Sequence, residues 1–232
     1  MYPPWGDPFG REEYLIGPYI STPVYRRSPF HFTPQELHEL KVATAILTLA
    51  FAIAFTGGVI GVMLRPRAFL LNLVLAAIAV ITAFALHEIG HEYAAIHFGY
   101  WAEFNYSMGG LLLALLVSLA GFLFAAPGAV VIYGYPTKRE NGIISAAGPT
   151  VNLILGMFFF SLYAGFAFFS RPIASFFWAI STINIYIGAF NMIPIPPLDG
   201  SKIITWSLPV YLIMGALFAL FFILTTLSFY AV

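Results

Sequence analysis

The chain has 232 residues, of which 60% are hydrophobic, 18% aromatic and only 9% charged, with a formal net charge of zero. A soluble domain cannot clothe its surface with so few charges, and no Lys/Arg cluster favours nucleic acid. The composition therefore predicts an integral membrane protein whose environment is a lipid bilayer and whose partners include no nucleic acid. Lack of cysteine excludes disulfides and thiol chemistry and leaves His, Asp and Glu as the strong ligands for a metal such as zinc.

Residues 1–41 read as a polar, aromatic-rich N-terminal extension mixing acids, bases and Pro, with His31 and His38 as tail residues rather than ligands. Beyond Lys41 the chain is hydrophobic, with apolar segments at about 42–63, 68–98, 109–126, 145–169, 173–195 and 208–231. Charges and prolines mark the breaks, as at Arg65-Pro66-Arg67 and Arg171-Pro172. Segment 109–126 is interrupted by Gly109, Gly110 and Gly121 and closed by Pro127, so it is expected to re-enter the membrane or lie against the bundle rather than cross. Ala129 to Tyr135, rich in Val, Ile and Tyr, reads as a short strand, half of a hairpin reaching Ile143. The expected fold is an all-α membrane protein, a polytopic helical bundle of about five to six transmembrane segments with a small re-entrant/β element.

The second apolar segment carries His87-Glu88-Ile89-Gly90-His91 inside the run Ala68 to Gly99. Residues four apart share one face of a helix, so the two imidazoles can grip one zinc ion while Glu88 sits beside it as a candidate general base. A hydrolytic zinc site needs a third protein ligand and an open position for water. Asp199 suits that role, since it lies just past the fifth apolar segment beside Leu198 and Gly200; the alternative is that it caps the next helix.

If Asp199 joins the histidines, an even number of crossings separates them, and of the three apolar segments between, 109–126 is the one expected not to span. The site-bearing face then carries Arg26, Arg27, Lys41, Lys138, Arg139 and Lys202, against Arg65, Arg67 and Arg171 opposite. Positive residues favour the cytoplasmic side, so a multi-pass protein is expected with its active site toward the cytoplasm.

Together with Ala147-Gly148-Pro149-Thr150-Val151-Asn152 and Asn191-Met192-Ile193-Pro194-Ile195-Pro196-Pro197-Leu198-Asp199-Gly200, the histidine motif resembles the three signatures of the site-2 protease family of intramembrane zinc metalloproteases. The resemblance covers roughly residues 68–205. It implies a transmembrane metalloprotease domain at 42–232 with its catalytic core at about 68–205 and the re-entrant/β element between the first two motifs. It also implies that His87, His91 and Asp199 bind zinc, that Glu88 activates water, and that Asn152 orients the substrate backbone or stabilises the oxyanion. The implied partner is a transmembrane protein substrate, cleaved within or near its membrane span. A metal transporter, or a metal-binding membrane protein without protease activity, is the competing class. Against it, the candidate ligands gather toward one face and no charged path continues through the bilayer. A purely structural zinc site would have no use for Glu88.

Overall fold

In a computed structural model, the described residues, 32–124 and 126–229, form nine α-helices and one two-stranded sheet. Arg26, Arg27 and His31, with most of the 1–41 stretch, lie outside the described residues. Helix α1, Pro34–Thr56, begins well before the apolar run because Thr33 and Glu36 form a capping box, in which each side chain accepts from the other's backbone N–H. It ends at Gly57, whose φ of 95° suits glycine alone. After the short α2, Gly58–Leu64, Arg65 folds back and donates to the carbonyl of the buried Thr56 at 2.6 Å.

Pro66 then starts α3, Pro66–Val80, which continues through a π-helical segment, Ile81–Ala85, into α4, Leu86–His97. The result is a 32-residue apolar rod, about 48 Å long and so longer than a bilayer's ~30 Å hydrocarbon core. Five helical stretches are long and apolar enough to cross a membrane: Pro34–Thr56, Pro66–His97, Lys138–Phe166 (α6), Arg171–Asn191 (α7) and Leu208–Ser228 (within α9, Leu208–Phe229). Their outward faces carry Leu71, Phe158, Ile213 and Leu227, each more than half exposed, a surface that lipid solvates and water would not. Inside, hydrogen bonds join the helices. Asn184 donates to Thr82 Oγ1 at 3.0 Å, and Ser181 donates to the carbonyl of Gly156 at 2.8 Å. The chain is a multi-pass membrane protein.

Between α4 and α6 lies the re-entrant element. Strand β1, Trp101–Tyr106, pairs antiparallel with β2, Gly128–Tyr133, with Trp101 opposite Tyr133 and Tyr106 opposite Gly128. Helix α5, Met108–Leu119, is inserted between them. Its 12 residues cover only about 18 Å. It packs along α1, and its end meets the α1–α2 turn, where a Cβ on Gly58 would crowd Gly121 N at 2.8 Å. The chain then returns, so that Ser107 N–H donates to the carbonyl of Pro127 at 2.7 Å. Because both ends of the excursion meet, 109–126 makes no net crossing.

One expectation fails here. The partner of β2 is the chain before α5, not a hairpin arm reaching Ile143, because a second capping box, Thr137 with Glu140, commits residues from Lys138 onward to α6. Single cysteines placed at Asn105 and Lys138 should both react with an impermeant maleimide from one side of a sealed vesicle. Labelling from opposite sides would show that 109–126 crosses.

The first turns of α1 fix the sheet's position. Phe104 N–H donates to Glu36 Oε1 at 3.2 Å, and Tyr106 N–H to Glu39 Oε2 at 3.0 Å. These amides point away from β2, so in an antiparallel pair the facing residues Val130 and Gly128 present their own amides on the opposite edge. Glutamates cover one edge of the sheet. The other borders the cavity described next.

Candidate metal centre

Helical periodicity brings His87 and His91 onto one face of α4, with their Nε2 atoms 3.0 Å apart. Asp199 arrives from far along the chain. Pro194, Pro196 and Pro197 prevent α7 from continuing, and after Leu198 the chain starts helix α8, Asp199–Trp206, with Asp199 in its first turn. Gly200 makes the approach possible, since a Cβ there would run into the carbonyl of Met192 and lie 2.7 Å from that of Ile193. Asp199 Oδ2 then stands 3.4 Å from His87 Nε2 and 3.0 Å from His91 Nε2.

The donor set fits zinc. Ligand atoms about 2.0–2.1 Å from a tetrahedral ion lie roughly 3.3 Å from one another, close to the spacings found. The far side of each imidazole settles its tautomer. His91 Nδ1 faces the carbonyl of Ile144 at 2.7 Å, which can only accept, so this nitrogen carries the proton. His87 Nδ1 faces Asn152 Oδ1 at 2.6 Å, and the Asn152 amide is oriented by Nδ2 donating to the carbonyl of Ala83 at 2.9 Å. Both Nε2 atoms therefore turn lone pairs toward the Asp199 carboxylate, and three electron-pair donors so close repel unless a cation lies among them.

Two further features were not read from the sequence. Gly148, on α6, faces the triad: a Cβ there would lie 2.7 Å from His87 Nε2 and closer still to His91 Nε2. Gly90 performs the matching task on α4, where a Cβ would meet Val151 Cγ2 at 3.0 Å and Ala147 O at 3.3 Å. The two glycines let α4 and α6 pack closely enough for Ile144 and Asn152 to reach the imidazoles. The Gly-Pro pair was visible in the signature; the reason for it needs the distance to the neighbouring helix.

Asn152 is fully buried, and its amide is spent on His87, Ala83 and Asn184. It stands behind His87, at the ring nitrogen turned away from the triad. Glu88 is half-buried and, with the triad, lines a cavity of about 770 Å³. Leu47, Phe51 and Phe55 of α1 and Ile183 and Ile187 of α7 form its apolar walls, and Gly128, Val130 and Ile132 of β2 form another side. His97, in the last turn of α4, is exposed and takes no part.

The chain is similar in sequence to known proteins. The profile of peptidase family M50 matches residues 161–211, which include Asp199. A candidate zinc metalloprotease of Methanocaldococcus jannaschii is 35% identical over 193 residues, covering 81% of this chain and 93% of that protein. The candidate zinc metalloprotease YwhC of Bacillus subtilis is 33% identical over 57% of this chain and 68% of its own length. Rip2 of Mycolicibacterium smegmatis, named likewise, is 26% identical over 67% of each chain. No solved structure matches. With a relative this similar along nearly its whole length, and with the two histidines and the aspartate of the motifs converging in space as a zinc site requires, the chain belongs to peptidase family M50, the site-2 protease family of zinc metalloproteases.

Proposed function

We propose that this zinc metalloprotease is an intramembrane endopeptidase that cuts transmembrane protein substrates within or near their membrane spans. The observation that carries the reading is the placement of the metal triad and Glu88 in a cavity walled by two membrane-spanning helices, α1 and α7. In this reading His87, His91 and Asp199 hold zinc, and Asn152 acts by orienting His87. Zinc bound there acidifies water and polarises a carbonyl.

The protein supplies the rest. A helical substrate hides its amides in internal hydrogen bonds and has to be locally unwound before cleavage. The outward amide of Gly128 on the β2 edge, next to the Val130 amide that donates to Glu88, offers the unwound strand a replacement partner. Glu88 accepts the proton of the attacking water and returns it to the leaving amine nitrogen. For orientation, Lys41, Lys138, Arg139 and Lys202 belong to the site-bearing ends of their helices, and Arg65, Arg67 and Arg171 to the other ends. This supports a site that opens to the cytoplasm.

The test is cleavage of a panel of single-span proteins in vesicles, with cut sites mapped by mass spectrometry. Cuts inside or beside the span are expected, abolished by 1,10-phenanthroline and restored by zinc. A zinc-loaded protein that cuts only soluble peptides would refute the reading. The role given to Asn152 has its own check. Asn152→Ala should weaken zinc binding by about 10–100-fold, as loss of a partner behind a ligating histidine does, measured by chelator competition. Unchanged zinc affinity with lost turnover would return Asn152 to the substrate.

A further inference from the structure

Peptide hydrolysis needs a donor for the negative charge that builds on the scissile carbonyl oxygen, and Asn152 is already committed elsewhere. We propose that Lys202 is a further catalytic residue, whose ammonium stabilises that oxygen. The proposal rests on the protease reading above.

Lys202 lies one turn after Asp199 on α8, so the two side chains share a face. Asp199 turns Oδ2 toward the histidines, while Lys202 Nζ lies 3.8 Å from the other oxygen, Oδ1. The ammonium therefore stands beside the metal triad without facing the lone pairs of the imidazoles. At 3.8 Å it is too far from Oδ1 for a good hydrogen bond, and its side chain is 41% exposed. Its donors can thus turn toward a bound peptide.

Among the described residues lining the cavity Lys202 is the only Lys or Arg, the other polar side chains there being the imidazoles, the two carboxylates, Asn141, Ser145, Thr182, Tyr186 and Asn191. Apolar walls such as Phe51 and Ile187 lower the local dielectric, which strengthens the attraction between an ammonium and an oxyanion. The tasks are then divided. Water adds to the carbonyl carbon as Glu88 takes its proton, and the π pair moves onto oxygen. Lys202 donates a hydrogen bond to that oxygen without giving up a proton. When the carbonyl re-forms, the C–N bond breaks and Glu88 protonates the amine.

The bland alternative is that Lys202 only steadies Asp199, and the two roles give different results. K202Q and K202R are compared with the parent for zinc affinity, for kcat and KM on a single-span substrate, and for binding of a phosphinate peptide, whose charged tetrahedral oxygens imitate the intermediate. For K202Q, zinc affinity and KM should stay within about 2-fold, while kcat and phosphinate affinity each fall about 100-fold, the loss typical of one oxyanion donor. K202R should recover part of both. Weakened zinc binding in K202Q, or an undiminished kcat or phosphinate affinity, overturns the proposal. If the parent cuts no membrane substrate, the protease reading fails, and phosphinate binding to the zinc-loaded chain still decides the role of Lys202.

Discussion

Gly148→Ala is expected to remove zinc binding and proteolysis together while leaving α6 folded. Alanine is the better helix former by about 1 kcal/mol, so in a helix interior the exchange should stabilise α6. The damage is local: the new methyl would sit 2.7 Å from His87 Nε2 and still nearer His91 Nε2, in the space that the ligand atoms face. To admit it, α6 would have to draw back from α4, and the carbonyl of Ile144 and the amide of Asn152 would leave the two imidazoles they hold. Zinc content should fall from about one per chain to near none, and cleavage by at least about 10³-fold, as expected when metal stabilisation worth several kcal/mol is lost. Metal analysis and a thermal melt on the same sample check both halves. Full zinc occupancy in the variant would mean that α4 and α6 are not held at this separation.

What the sequence made legible followed from local periodicity. Apolar runs marked the membrane helices, and the four-residue spacing placed His87 and His91 on one face without reference to the rest of the fold. Broken glycines and Pro127 also marked 109–126 as a segment that does not cross, which the bond from Ser107 to Pro127 agrees with. The partner of β2 was harder to read. Trp101–Tyr106 has only six residues and includes Glu103 and Asn105, so it resembles a polar loop until Glu36 and Glu39 are seen accepting from its amides. Those carboxylates lie more than sixty positions away in the chain, in a stretch with no apolar pattern.

The same limit applies to chemistry. The family resemblance singled out Asn152, but whether an amide contacts substrate or a histidine depends on what faces it across the α4–α6 interface. Lys202 looked like one more positive charge at a membrane face. Only the turn at Leu198, which starts α8 beside the histidines, brings it to the cavity wall. Residues that act through neighbours on their own helix could be read from spacing, and those that act through neighbours on another helix could not.

Glu88→Gln is expected to separate metal binding from turnover. Glu88 is not one of the three groups whose donor atoms converge, and its side chain lines the cavity beside them. Glutamine has nearly the same shape, so the packing of α4 and the triad should survive and zinc should remain at about one per chain. The amide cannot accept the proton of an attacking water, however, and nothing else in the cavity is placed to replace it: His87 and His91 are committed to the metal on one side and to Asn152 and Ile144 on the other. Loss of a positioned base typically costs 10²–10⁴-fold, so single-turnover cleavage should drop about 10³-fold with little change in substrate affinity. The variant should consequently hold an uncut single-span substrate long enough for crosslinking from the β2 edge, at Val130, to capture it. Turnover within tenfold of the parent would remove Glu88 from the proton path. Loss of zinc would instead make it a ligand, and the open coordination position that hydrolysis requires would then have to be found elsewhere.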